Sequence, residues 1–256
     1  MTLTLHCAGR TDVGRKRDYN EDDFVIDLDT GLMTLADGMG GHAAGEVASR
    51  LAVGTVTEFI RRSAGGSGND WPYGFDERLS LSANRLRAAV RLANEKIFRT
   101  IEENEELRGM GTTLVAALGR NGSVCVAHVG DSRAYSARAD RLEQVTSDHS
   151  WVNEQVLLGL LTREEASRHP FRNVITRALG SREEIVPDIA EIAMSPGDRL
   201  VLCSDGLTTM LDDGQILEIL RRHPRDDEAA ASELIARANA AGGEDNITVI
   251  VAGFSA

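Results

Sequence analysis

Apolar residues recur along this chain in short runs, and most of the runs are bounded by Gly, Asp or Asn. They predict strands at 3–8, 23–28, 32–36, 112–118, 123–129, 133–137, 186–193, 199–203 and 247–252. In "SVCVAHVGDSRAYSAR" two such runs are separated by Gly130-Asp131, which predicts a hairpin with a tight turn. Helical spacing appears in two pairs. The first pair is 44–62 and 83–105, where Leu86, Val90, Ala93, Ile97 and Ile101 form an amphipathic stripe. The second pair is 213–222, capped by Asp212 or Asp213, and 227–241, followed by Gly242-Gly243. A further helical stretch is expected at 149–168, where Thr162-x-x-Glu165 has the spacing of a capping box. The segment "SAGGSGNDWPYGF" between the first two helices reads as an exposed loop. Strands in hairpin-like succession, with helices in pairs between them, favour antiparallel sheets covered by helices over a βαβ fold.

Composition narrows the function classes. The chain has 256 residues, 42% of them hydrophobic, so it can bury a sizeable core. A net charge of −12 argues against nucleic acid and against anionic membrane surfaces, although Arg15-Lys16-Arg17 is a local basic patch. Cys7, Cys125 and Cys203 make an odd count without a CxxC pair, which suggests neither disulfides nor a zinc ribbon. Cys125 and Cys203 lie in strand-like runs and are expected to be buried. "MTLTLHCAGR" lacks the features of a signal peptide, and no segment approaches the roughly 18 apolar residues of a membrane span. A soluble, cytoplasmic chain is expected.

Candidate chemistry begins at "LMTLADGMGGHAAGE". Gly38-x-Gly40-x-x-Ala43, with Glu58 about twenty residues on, fits a dinucleotide fingerprint. Such a fold needs a strand soon after the first helix, whereas a loop and a second helix follow here. Asp37 would also repel a pyrophosphate. The other reading is a metal-binding turn. Four Asp residues stand beside Gly or Asn at predicted strand ends: Asp37, Asp131, Asp205 and Asp245. Ends of neighbouring strands lie close together, and gathered carboxylates would repel one another unless hard divalent cations joined them. "TDVGRKRDYNEDDF" adds Arg17, a guanidinium suited to a phosphoryl group, and Glu21 and Asp22 a few residues on. Other phosphatase and hydrolase signatures fail. A cysteine phosphatase needs Arg six residues after its Cys, where Val13, Asp131 and Thr209 stand. "GDSRA" lacks the second Gly of a nucleophile elbow.

"GRKRDYNEDD", "LADGMGGHAAGEVAS", "GMGTTLVAAL", "HVGDSRAY", "LCSDGL" and "GGEDNITVIV" occur in the order found in bacterial metal-dependent Ser/Thr protein phosphatases of the PPM, or type 2C, family. The chain resembles that family from about residue 6 to 252. The resemblance implies an α+β fold, a four-layer α/β/β/α sandwich with two antiparallel sheets flanked by helix pairs. It implies a single phosphatase domain over 1–256 with a flap-like insertion at about 146–180. The activity implied is hydrolysis of phosphoserine and phosphothreonine on proteins by a metal-activated water, with Mn²⁺ or Mg²⁺ as two core ions and a third in a weaker site. Asp37 then resembles the carboxylate bridging two ions, Asp205 and Asp245 the other ligands of one ion, and the Gly38 carbonyl a ligand of the second. Asp22 resembles a ligand acting through water, with Glu21 as its neighbour. Asp131 with Asp205 matches the third-metal site, and Arg17 the phosphate-binding arginine, while Asn246 is expected to orient Asp245. Implied partners are phosphorylated Ser/Thr proteins, among them a Ser/Thr kinase, and a monomer is expected. Where eukaryotic members carry a His after the Asp-Gly, this chain has Met39. His42, His149 and His169 are candidates for the proton donor, as is a metal-bound water, and none is assigned. The alternative function is a catalytically inactive phosphoprotein-binding module, which would be expected to have lost these carboxylates.

Overall fold

The computed structural model describes residues 3–40, 44–65, 71–120 and 122–256. His42, Ala43 and residues 66–70 of the predicted loop lie outside the described residues. Among those described, every strand pairing is antiparallel, and the strands form two sheets. The first sheet has the order β1 (Thr4–Asp12), β11 (Ile247–Ser255), β10 (Arg199–Cys203), β7 (Arg133–Arg138) and β8 (Arg141–Gln144). The second has β2 (Asp22–Asp27), β3 (Leu32–Met39), β5 (Leu114–Arg120), β6 (Ser123–Val129) and β9 (Asp188–Ala193), with the short β4 (Gly111–Thr112) paired to β3.

Period-two alternation assigns each strand face to a layer. Met33, Leu35, Val115, Ala117, Val124 and Val126 meet Leu200, Leu202, Ile250 and Ala252 between the sheets. The intervening Leu32, Ala36, Leu114, Ala116 and Ala127 face outward, under α1 (Ala44–Ala64) and α2 (Leu81–Glu103). Tyr135, Val201, Cys203, Val249 and Val251 lie on the other outer face, under α6 (Asp213–Arg222) and α7 (Asp227–Ala241). The result is the expected α/β/β/α sandwich. Small Ala48 and Ala52 let α1 approach its sheet, and Leu86, Val90, Ala93 and Ile97 of α2 are fully buried. Burying each such large side chain is worth about 1.5–3 kcal/mol. Ser80 caps α2 by accepting from the Ala83 N–H, and Asp212 with Gln215 forms the capping box of α6.

Three expectations are corrected. β6 and β7 do not form a hairpin: β6 pairs with β5 and β9, β7 with β10 and β8, so Gly130-Asp131 crosses between the sheets. The helical stretch at 149–168 is two short helices, α3 (Trp151–Leu157) and α4 (Arg163–Ser167). Gly159, at φ +72°, turns the chain between them, and the Thr162–Glu165 capping box starts α4. The predicted strand 112–118 is broken at Thr113 into β4 and β5. Two short elements had no clear pattern in the sequence, β8 and α5 (Asp205–Thr208). No helix of the described residues is long and apolar enough to cross a membrane.

Candidate functional site

The two sheets present the same end of several strands to one place. Asp37 lies two residues before the end of β3, and its register partner is Asp22 at the start of β2. Asp205 follows β10, Asp245 precedes β11, and Asp131 lies in the crossover from β6 to β7. These carboxylates face one another: Asp37 feels Asp22, Asp205, Asp131 and Asp245, and it lies within hydrogen-bonding reach of Asp205. The structure therefore gathers Asp22, Asp37, Asp131, Asp205 and Asp245, contributed from both sheets.

Their protonation records the cost of that gathering. Burial, then the Asp205 and Asp245 charges, pushes Asp22 up to about 7. Burial and Asp205 push Asp131 to about 7, and burial and Asp245 push Asp205 to about 6. Burial and its four neighbours raise Asp37 well above the usual carboxylate range. Asp22 keeps one oxygen satisfied, since Oδ2 accepts from Ser204 Oγ at 2.9 Å and Thr248 Oγ1 at 2.6 Å. Its Oδ1, like Asp131 Oδ1 and Glu21 Oε1, is buried without a hydrogen-bond partner. Unpartnered buried carboxylate oxygens, held among like charges, fit hard divalent cations, which take oxygen ligands.

Backbone packing fixes the floor. The Asp37 N–H donates to Thr113 Oγ1 at 3.0 Å, and Thr113 Oγ1 meets Ser132 Oγ at 2.7 Å. A Cβ on Gly38 would stand 2.1 Å from Gly45 O and 2.6 Å from Glu21 O. These are backbone atoms of α1 and of the β2 approach, so only glycine fits. The hydroxyls of Thr113, Ser132, Ser204 and Thr248 were missed as site residues. Their signal was a Ser or Thr one to three residues from a matched Asp, or in "GTT", where an apolar run would otherwise continue.

Arg17 Nη2 donates to Asp245 Oδ2 at 2.7 Å, and about half of its side chain is exposed. Partial burial works against its charge, but Asp245, Glu21 and Asp37 outweigh it and raise its pKa. Asn246 differs from expectation. Its backbone N–H, not its side chain, holds Asp245 Oδ1 at 2.8 Å. Its side-chain oxygen accepts from the Glu21 N–H at 2.8 Å, and Nδ2 donates to Val13 O and Tyr19 O, both at 2.9 Å. Asn246 thus ties down the segment that carries Arg17.

Of the proton-donor candidates, His42 lies outside the described residues. His149 is buried, its Nδ1 accepting from the Gly130 N–H at 3.1 Å. His169 stacks on Trp151 at 4.9 Å between ring centres, beside Phe171. Cys125 and Cys203 are buried and all three cysteines are free, as expected.

The protein phosphatase 2C family profile matches residues 14–240. The serine/threonine phosphatase stp of Listeria innocua serovar 6a is 37% identical over 254 residues, covering 96% of this chain and 95% of its own length. The crystal structure of the Mycobacterium tuberculosis serine/threonine phosphatase PstP/Ppp is similar with a TM-score of 0.86 at 39% identity, over 98% of this chain and 99% of that one. The catalytic domain of the serine/threonine protein phosphatase PstP, solved in complex with two manganese ions, gives a TM-score of 0.85 at 38% identity over 100% of both chains.

Proposed function

Because this chain belongs to the protein phosphatase 2C family, we propose that it hydrolyses phosphoserine and phosphothreonine on proteins with Mn²⁺ or Mg²⁺ held by its aspartates. The observation that carries the reading is the meeting of five Asp side chains from separate strand ends, two of which, Asp22 and Asp131, keep a buried oxygen without a hydrogen-bond partner. An inactive binding module has no use for this charge cluster, which raises the free energy of the fold.

The roles are those that the family resemblance implies. Asp37, which feels the charges of the other four, would be shared by the two core cations. Asp205 and Asp245 would hold one of them with it, and the Gly38 carbonyl would serve the other. Asp22, buried and fixed by Ser204 and Thr248, would act through a water. Asp131 with Asp205 would hold a third, weaker cation. When bound, the core ions supply Lewis acidity that gives a hydroxide nucleophile near neutral pH. Arg17, anchored at Asp245 and half exposed, places a guanidinium at the rim, where it holds the phosphoryl oxygens in line for attack.

The same proposal takes residues 1–256 as one phosphatase domain and gives the insertion at about 146–180 to substrate selection. That insertion carries exposed Leu157, Leu158, Leu160 and Phe171, and it is anchored beside Asp131 through His149. A Ser/Thr kinase is among the substrates, the protein works as a monomer, and its free cysteines suit the reducing cytoplasm. The test is phosphate release from a phosphothreonine peptide. Activity with Mn²⁺ that EDTA abolishes and Mn²⁺ restores supports the reading; full activity under chelation refutes it.

A further inference from the structure

Outside the aspartate cluster, His128, His149 and Asp188 come together, each offering a ligand atom within 4.8 Å of the others. The hydrogen bonds decide against a cation there. His149 Nδ1 receives the Gly130 N–H, so its lone pair is used on that side. The ring is neutral near pH 7, because burial and the neighbouring His128 lower its pKa. Its one proton therefore sits on Nε2, towards Asp188 Oδ2 at 3.3 Å. A metal on Nε2 would drive that proton to Nδ1, against the Gly130 N–H. Arg177 Nη1 lies 3.4 Å from His149 Nε2 but 3.1 Å from Asp188 Oδ1, so its proton goes to the carboxylate and leaves Nε2 as the donor that the Gly130 N–H on Nδ1 requires.

The same tautomer has a use at the neighbouring turn. Gly130 lies past the last paired residue of β6, at the crossover between sheets, so no ladder satisfies its backbone. His149 supplies both partners: its ring accepts from the Gly130 N–H, and its own N–H donates to the Gly130 carbonyl at 2.9 Å. His149 is fixed in turn by the Thr176 N–H on its carbonyl at 2.8 Å and by the His128 ring, stacked at 4.6 Å. Gly130 has φ +108°, and a Cβ there would stand 2.6 Å from Thr113 Cβ, so the turn has little freedom once clamped. The next residue is Asp131, with its buried, unpartnered Oδ1.

We propose that His149 is a positioning residue for Asp131: through a two-point clamp on Gly130 it aims the Asp131 carboxylate at the weaker cation site. The inference rests on the role given to Asp131 above. The side chain acts through its Nδ1 acceptor, so substitutions separate by where they place an acceptor. Asn puts Oδ1 near the position of Nδ1, whereas Gln reaches the position of Nε2.

The test is Mn²⁺ binding followed by electron paramagnetic resonance of the free ion, on folded protein checked by circular dichroism. Asp131→Ala should lose the weak component and keep the tight one. His149→Gln should weaken the weak component roughly tenfold, the size of effect seen when a ligand's supporting hydrogen bond is removed, with the tight component unchanged. His149→Asn should stay within about threefold of wild type. Weak binding that is unaltered in His149→Gln, or lost equally in His149→Asn, overturns the clamp. An Asp131→Ala protein that keeps the weak component overturns the role of Asp131 and, with it, what the clamp is for. Long-range ¹H–¹⁵N spectra of the wild-type protein give a reading without any variant. An unprotonated His149 Nδ1 supports the clamp, and a protonated one refutes it even where a variant fails to fold.

Discussion

Asp37 sits where four other carboxylates reach it, and its pKa is raised accordingly. Removing its charge should separate stability from activity. In Asp37→Asn, turnover should fall by roughly 10²–10³-fold or more, since the charge proposed to hold both core cations is gone. The metal-free variant should melt higher than metal-free wild type, because like-charge repulsion is relieved. Paired kinetics and thermal melts in EDTA check both, and near-normal turnover would remove Asp37 from its role. The pH dependence has a definite sign. Asp22 and Asp131 titrate at about 7 in the fold and Asp205 at about 6, against roughly 4 for an unfolded Asp. Between those values the folded chain binds more protons than the unfolded one, so metal-free stability falls as pH rises from about 4 to 7. Asp37, raised well above the usual carboxylate range, adds to the same decline. Melting curves in EDTA across pH 4–8 should show this decline, and saturating Mn²⁺ should flatten or reverse it above pH 6. A melting temperature that rises with pH in EDTA would contradict the crowding. Asp37, Asp131, Asp205 and Asp245 were legible in the sequence because each stands beside Gly or Asn at the edge of an apolar run, whereas Asp22, between Glu21 and Asp23, stood out only as part of the charged segment that carries Arg17. The supporting hydroxyls were not legible, since a Thr or Ser in a strand reads as an ordinary β residue until its partner across the fold is known.

At the scale of elements, strand ends supply the clustered carboxylates and one side chain joins two of the segments. Asn246 carries three of the hydrogen bonds between the start of β11 and the 13–21 segment. Asn246→Ala should loosen that segment and with it Arg17. A roughly tenfold rise in KM for a phosphopeptide is expected, with a smaller change in kcat, as befits lost positioning of the phosphate. Steady-state kinetics at saturating Mn²⁺ measure the split; an unchanged KM would mean that Arg17 holds its place without Asn246. Most strands and four long helices were legible from periodicity. The Gly130-Asp131 link was not, because two short apolar runs joined by a Gly-Asp pair fit a hairpin and a step between layers equally well. Which one forms depends on partners far away in the chain: β5 and β9 for β6, β10 and β8 for β7. The stretch 149–168 misled for a local reason, as its helical spacing continues past Gly159, where positive φ ends the helix.

For the molecule as a whole, the sandwich explains why an acidic cluster survives. Three apolar layers, one between the sheets and one under each helix pair, hold the strands rigidly enough to keep repelling carboxylates together. The crossover from β6 to β7 puts Asp131 in the link between the two sheets, beside Asp205, which a hairpin in one sheet would not do. Antiparallel sheets covered by helices were legible from paired helices and short strands, the four-layer order came with the family resemblance, and the sheet to which each strand belongs was settled only by long-range pairing. The most direct test is a crystal of this protein soaked in Mn²⁺ and measured at the manganese absorption edge. The expected map has two strong anomalous peaks, one touching Asp37, Asp205 and Asp245 and the other touching Asp37 and the Gly38 carbonyl. A map without peaks at Asp37 from a crystal that has taken up manganese elsewhere would contradict it.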